Sequence, residues 1–176
     1  MKNVTIQSVT ETDFLEAQFK AVQDFLNEIP AINYGGCGLS AYAMFLWLQK
    51  NNMLTEDLQV VFLHHSYSGE EFATNQTFYL KGVGNPVAPE HVVLYRNGKY
   101  IDSSGVFERA KEYDFRLSIS LDKAEDFLVK SLNNDSWNSC FDRPIYAPKI
   151  EKELGITFRA DMRRENKSWE LETASN

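Results

Sequence analysis

The run Leu39-Ser40-Ala41-Tyr42-Ala43-Met44-Phe45-Leu46-Trp47-Leu48 has almost no polar face. A helix that is apolar all round is stable in water only when protein surrounds it, and one spanning residues 38–50 is too short to cross a bilayer. The segment is therefore expected to be the central helix of the domain, with other elements packed on every side. Asn33-Tyr34-Gly35-Gly36 just before it reads as a turn, because paired glycines adopt backbone angles that other residues resist. Cys37 stands at the junction and opens the helix.

The chain has 176 residues, the size of one compact domain with a real core. It shows no internal repeat, low-complexity tract or linker, so residues 1–176 are read as a single domain with a frayed C-terminal tail. Residues 12–29 predict a first helix on the spacing of Phe14, Ala17, Ala21, Val22, Phe25, Leu26 and Ile29, capped by Thr10 or Thr12 and followed by Pro30. Residues 59–63 and 76–81 read as strands on either side of a polar loop, and 82–89, with its glycines and prolines, as a surface connection. Residues 91–96 lead into Asn97-Gly98, a strong hairpin signal. Further on, 121–132 reads as a helix capped by Ser120, 133–144 as irregular, and 147–154 as a short helix stopped by Gly155.

Composition narrows the partners. With 43% hydrophobic and 24% charged residues the chain is ordinary for a globular protein. The formal net charge of -7 repels phosphate backbones and anionic membrane surfaces, so neither nucleic acid nor a membrane is expected as a partner. Arg159, Arg163, Arg164 and Lys167 form the only dense basic cluster; interleaved with Asp161 and Glu165, they read as a solvated face or tail. The N-terminus lacks a continuous apolar stretch and no later run is long enough to span a bilayer, which predicts a soluble, cytoplasmic protein. In a reducing compartment Cys37 and Cys140 are expected as free thiols.

The hairpin allows a geometric test. If Asn97 and Gly98 form a two-residue turn, Arg96 pairs with Lys99 and, continuing outward, Val93 faces Asp102 and His91 faces Ser104. Alternation then puts His91, Val93, Tyr95, Tyr100 and Asp102 on one sheet face, and Val92, Leu94 and Ile101 on the other as core. His91 and Asp102 become diagonal neighbours, with backbones roughly 7 to 8 Å apart, a span their side chains can bridge. A carboxylate beside an imidazole fixes its tautomer and stabilises the imidazolium, as a general base requires. Cys37 supplies a nucleophile: at a helix start the unpaired N–H groups and the helix dipole favour thiolate, and the same N–H groups suit an oxyanion.

Each piece has a plainer role. A Cys before an apolar helix is commonly a small buried hydrophobe, a His at a strand start a satisfied polar group, and an Asp after a strand a turn former. The joint arrangement favours chemistry. It also resembles the papain-like cysteine peptidase superfamily, nearest to the double-glycine leader (bacteriocin-processing) peptidases. Gly36-Cys37-Gly38-Leu39-Ser40-Ala41-Tyr42-Ala43-Met44 is similar to their cysteine helix, and His91-Val92-Val93-Leu94-Tyr95 through Tyr100-Ile101-Asp102 to their His strand and Asp. The resemblance covers roughly residues 30–105. It implies an α+β, papain-like fold with the Cys-bearing helix packed on an antiparallel sheet, and a Cys37–His91–Asp102 triad. One departure stands out. Such peptidases place an oxyanion Gln six residues before the Cys, where this chain has Ala31; Asn33 is the nearest amide that could substitute, or it is simply a turn residue.

The expected function is hydrolysis of a peptide or other amide bond in a protein or peptide substrate. Glutamine deamidation or transamidation by the same triad, and a non-enzymatic binding module on the same fold, are the alternatives. No cofactor and no metal is expected. His64 and His65, adjacent on a strand, point to opposite faces and cannot easily share an ion. Trp137, Asn138, Cys140, Phe141, Asp142 and Arg143 read as a loop patch that walls a cleft or anchors to the core, with Cys140 structural.

Overall fold

The computed structural model describes residues 11–64, 91–108, 115–133 and 141–159. These form helices α1 (Glu11–Asn27) and α2 (Cys37–Lys50), strands β1 (Gln59–His64), β2 (His91–Arg96), β3 (Lys99–Asp102), β4 (Gly105–Phe107) and β5 (Phe115–Ser120), and helices α3 (Leu121–Asn133) and α4 (Arg143–Leu154). The class is α+β, and the five strands make an antiparallel sheet in the order β4-β3-β2-β1-β5.

α2 is buried as its sequence requires: from Cys37 to Leu46 every residue is inside, as is Leu48. Its side chains join one cluster with Val60, Phe62, Val92, Leu94, Ile101 and Ile119 from one face of the sheet. Fully burying a Leu or Met contributes about 1.5–3 kcal/mol, and this helix buries Leu39, Met44, Leu46 and Leu48. Phe127 of α3 closes the cluster edge-on against Phe62, with ring centroids 4.8 Å apart. Val61, Leu63 and Val93 occupy the other face, flanked by Tyr95, Tyr100 and Phe107.

α1 forms where expected, but its buried stripe is rotated. Leu15, Phe19, Val22 and Leu26 are inside, whereas Phe14 is exposed and Ala17 and Ala21 face solvent. Two interlocking helical patterns were available in this segment, and the one through Leu15, Phe19, Val22 and Leu26 packs inward. Thr12 is already within the helix and so is not its cap.

The hairpin register is as derived, with Leu94 opposite Ile101, Tyr95 opposite Tyr100 and Arg96 opposite Lys99. Asn97 and Gly98 both take positive φ, 48° and 81°, which is what a twist-matched two-residue turn requires. β4 and β5 were not anticipated. β4 has three residues and offers too short a pattern, but β5 alternates Leu117 and Ile119 with exposed Arg116, Ser118 and Ser120, a legible half-buried strand.

α3 covers the expected span, and Ser120 Oγ donates to the Asp122 side chain, at Oδ1, 2.6 Å away. α4 begins earlier than residue 147, because Pro144 is well tolerated in the first turn and Pro148 removes only one N–H donor. It stops at Gly155, whose φ of 59° is left-handed. Lys50 Nζ donates to the Leu154 carbonyl at 3.0 Å, pinning the end of α2 to the end of α4. Arg159 is not a free tail charge: it pairs with Glu125 at 3.3 Å and Asp126 at 3.2 Å. The expected strand at 76–81, the connection 82–89, His65, Trp137, Asn138, Cys140, Arg163, Arg164, Lys167 and the C-terminal tail lie outside the described residues, as does the side chain of His64. No helix among the described residues is long and apolar enough to cross a membrane.

Candidate active site

Three elements deliver the three predicted residues to one place. Cys37 is the first residue of α2, His91 the first of β2 and Asp102 the last of β3. Because β2 and β3 are antiparallel neighbours, the start of one and the end of the other fall at the same end of the sheet. His91 Nε2 and Asp102 Oδ2 are 2.9 Å apart, a hydrogen-bonded pair buried on both sides. Nε2 is thereby committed to the carboxylate. The Cys37 side chain lies close enough to the imidazole to raise its pKa.

Burial alone would push the His91 imidazolium down, but the Asp102 hydrogen bond and then the Cys37 contact outweigh it and lift its pKa to about 9. Burial pulls Asp102 upward; hydrogen bonds from His91 and Ser104 hold its carboxyl below the usual range. The Ser104 contribution is double. Its N–H donates to Asp102 Oδ1 at 2.7 Å and its hydroxyl to the same oxygen at 2.6 Å, leaving Oδ2 to His91. Ser104 thus orients the carboxylate.

The turn before Cys37 is tightly made. Ala31 sits at φ 59° and Gly35 at φ 88°, and both Tyr34 and Gly36 donate their N–H to the Ala31 carbonyl. Gly36 is needed for packing: a Cβ there would lie 2.8 Å from the Ile32 carbonyl oxygen and from Phe141. The space beside Gly36 is therefore filled by protein. As the N-cap, Gly36 has no side chain to cap α2, and Ser40 N–H to the Gly36 carbonyl, at 2.9 Å, is the first intrahelical bond. Helix geometry leaves the N–H groups of residues 37–39 without intrahelical acceptors.

Asn33 is turned elsewhere. Its Oδ1 accepts from Ser103 Oγ at 2.8 Å and its Nδ2 points to Ser104 Oγ at 3.4 Å, so its amide lies against the turn that follows Asp102. Two residues of this shell were not anticipated. Ser103 is one; Gln23 of α1 is the other, and its Nε2 donates to the Asp102 carbonyl at 2.6 Å. A glutamine beside Val22 and Phe19 on a buried helical stripe is the signal that could have exposed it. Cys37 is a free thiol, and no group of His, Cys, Asp and Glu among the described residues is arranged to hold a metal ion.

No family model matches the chain, and no curated protein or solved structure matches it.

Proposed function

We propose that this protein is a thiol hydrolase of papain-like fold that cleaves a peptide or other amide bond, with Cys37 as nucleophile, His91 as general base and acid, and Asp102 as its orienter. The observation that carries this reading is the buried Asp102 Oδ2–His91 Nε2 pair, 2.9 Å apart, with the imidazole near the Cys37 side chain at the uncapped start of an apolar helix. Cys37 gives its proton to His91 and the sulfur attacks the amide carbonyl. The N–H groups at the start of α2 donate hydrogen bonds to the developing oxyanion. His91 then returns the proton to the departing amine, leaving a thioester. Water, deprotonated by His91, attacks the thioester carbonyl, the carboxylic acid leaves, and the thiol is restored.

A second reading rests on one number. Cys37 is only 3% exposed, which favours a binding module that keeps the constellation without turning over. A thiol-directed activity probe on the full chain separates the two. Stoichiometric labelling of Cys37, abolished by prior iodoacetamide and by His91→Ala, supports the hydrolase. A Cys37 that stays unlabelled while folded sinks it. Ammonia release from glutamine peptides, without chain cleavage, redirects the same chemistry to deamidation.

A further inference from the structure

Two turns support the reacting groups, and the backbone does not join them. The first, residues 28–36, delivers Cys37; the second, Ser103 and Ser104, follows Asp102. Asn33 spans the gap across a sequence separation of 70 residues, accepting from Ser103 Oγ at 2.8 Å and reaching Ser104 Oγ at 3.4 Å. The chemistry of the neighbours dictates which end of the amide faces which serine. Ser104 gives its hydroxyl proton to Asp102 Oδ1, so towards Asn33 it can only accept, and the Asn33 NH₂ must face it. Ser103, 2% exposed, then donates to Asn33 Oδ1. The contacts run without a break from Asn33 through Ser104 and Asp102 to His91.

The first turn needs such bracing. Ala31 holds a left-handed backbone at φ 59°, a conformation that persists in a non-glycine residue only where its surroundings over-determine it. An oxyanion donor, by contrast, must aim its N–H beside the sulfur, and this amide is occupied by two serines on the far side of the carboxylate.

We infer that Asn33 is a positioning residue, a strut that locks the turn carrying Cys37 against the turn carrying Asp102 and thereby sets the thiol against the imidazole. The inference rests on the thiol chemistry proposed above. It replaces the oxyanion role expected for Asn33 and leaves that role to the α2 backbone.

Alkylation tests it, because displacement of iodide from iodoacetamide forms no oxyanion. Asn33→Ala, Ser103→Ala and the double variant are compared with the wild-type chain for the alkylation rate of Cys37 from pH 5 to 9. The His91 ring is titrated by NMR in each; Asp102 and Cys37 are the titratable groups that raise its pKa. A strut predicts that each single variant slows alkylation by up to about tenfold, the worth of one buried hydrogen bond. The double variant should be no slower than the worse single, and His91 should titrate at lower pH in all three. An oxyanion donor predicts unchanged alkylation in Asn33→Ala, and that result overturns the strut. If wild-type Cys37 shows no His91-dependent alkylation, the hydrolase reading fails by itself, and the strut is judged on the His91 titration. There, additive and independent shifts from the two single variants refute it. Should Asn33→Ala not fold, Ser103→Ala alone decides, since it removes only a hydroxyl.

Discussion

Asp102→Asn changes one atom and should reverse the chemistry of His91. In the wild type, Oδ1 accepts two hydrogen bonds from Ser104, one of them from a backbone N–H that cannot rotate away. The substituted amide must therefore keep its oxygen at that position and put its NH₂ where Oδ2 was, 2.9 Å from His91 Nε2. Facing a donor, Nε2 must become the acceptor, and the ring proton moves to Nδ1. The base is then protonated on the side that should receive the thiol proton. The loss of the carboxylate charge adds to this. The His91 pKa of about 9 against an ordinary 6.5 corresponds to about 3 kcal/mol of imidazolium stabilisation at ~1.4 kcal/mol per unit, part of it from Cys37. Losing most of it weakens the imidazole as a proton acceptor on the order of 100-fold. With the tautomer inverted as well, turnover should fall toward the roughly 10⁴-fold seen for the same change in serine triads. The assay needs no substrate. Iodoacetamide labelling of Cys37 at pH 6, where an ordinary thiol of pKa about 8.5 is protonated, is followed by mass spectrometry, and ¹⁵N NMR reads the His91 tautomer. An unchanged labelling rate, or an Nε2–H ring in the variant, refutes the reasoning.

Four further outcomes are expected. Cys37→Ala should abolish amide cleavage while thermal unfolding shifts little, because little volume leaves the core; residual turnover would point to another nucleophile. Wild-type stability should be highest between about pH 4 and 6.5 and fall as pH rises through 9. The raised His91 pKa stabilises the fold below the unfolded value of 6.5 and loses that effect through the folded value, so a melting temperature flat from pH 6 to 10 contradicts the ion pair. On the acid side, the depressed Asp102 carboxyl contributes above its ordinary 3.8 and fades as pH falls below it. Gly36→Ala should destabilise by about 1–3 kcal/mol, since its Cβ meets backbone and Phe141 at 2.8 Å; a neutral effect in denaturant titration would mean the turn can yield. Ser40→Ala should be neutral or stabilising by up to about 1 kcal/mol, because the Ser40 hydroxyl is buried without a hydrogen-bond partner among the described residues. Clear destabilisation by that change would reveal a hidden partner.

Much of this site was legible one residue at a time. The central position of α2 follows from ten consecutive positions with almost no polar face, since no surface helix can hide them. The His91–Asp102 pairing follows from Asn97-Gly98, because a two-residue turn sets the register and the strict alternation of a strand does the rest. Local chemistry of this kind needs no knowledge of distant chain.

Other features were decided only in three dimensions. The sequence of α1 allows two buried stripes, and the one through Leu15 and Phe19 won because the sheet and α2 offered it a matching surface, which no local pattern specifies. The partners of Asp102 come from positions remote in the chain, Gln23 across 79 residues and Asn33, through the serines, across about 70. The role of a polar side chain is set by which donors and acceptors meet it, and those are chosen by folding. Sequence therefore picked out Cys37, His91 and Asp102, while only tertiary structure placed the Asn33 amide against Ser103 and Ser104.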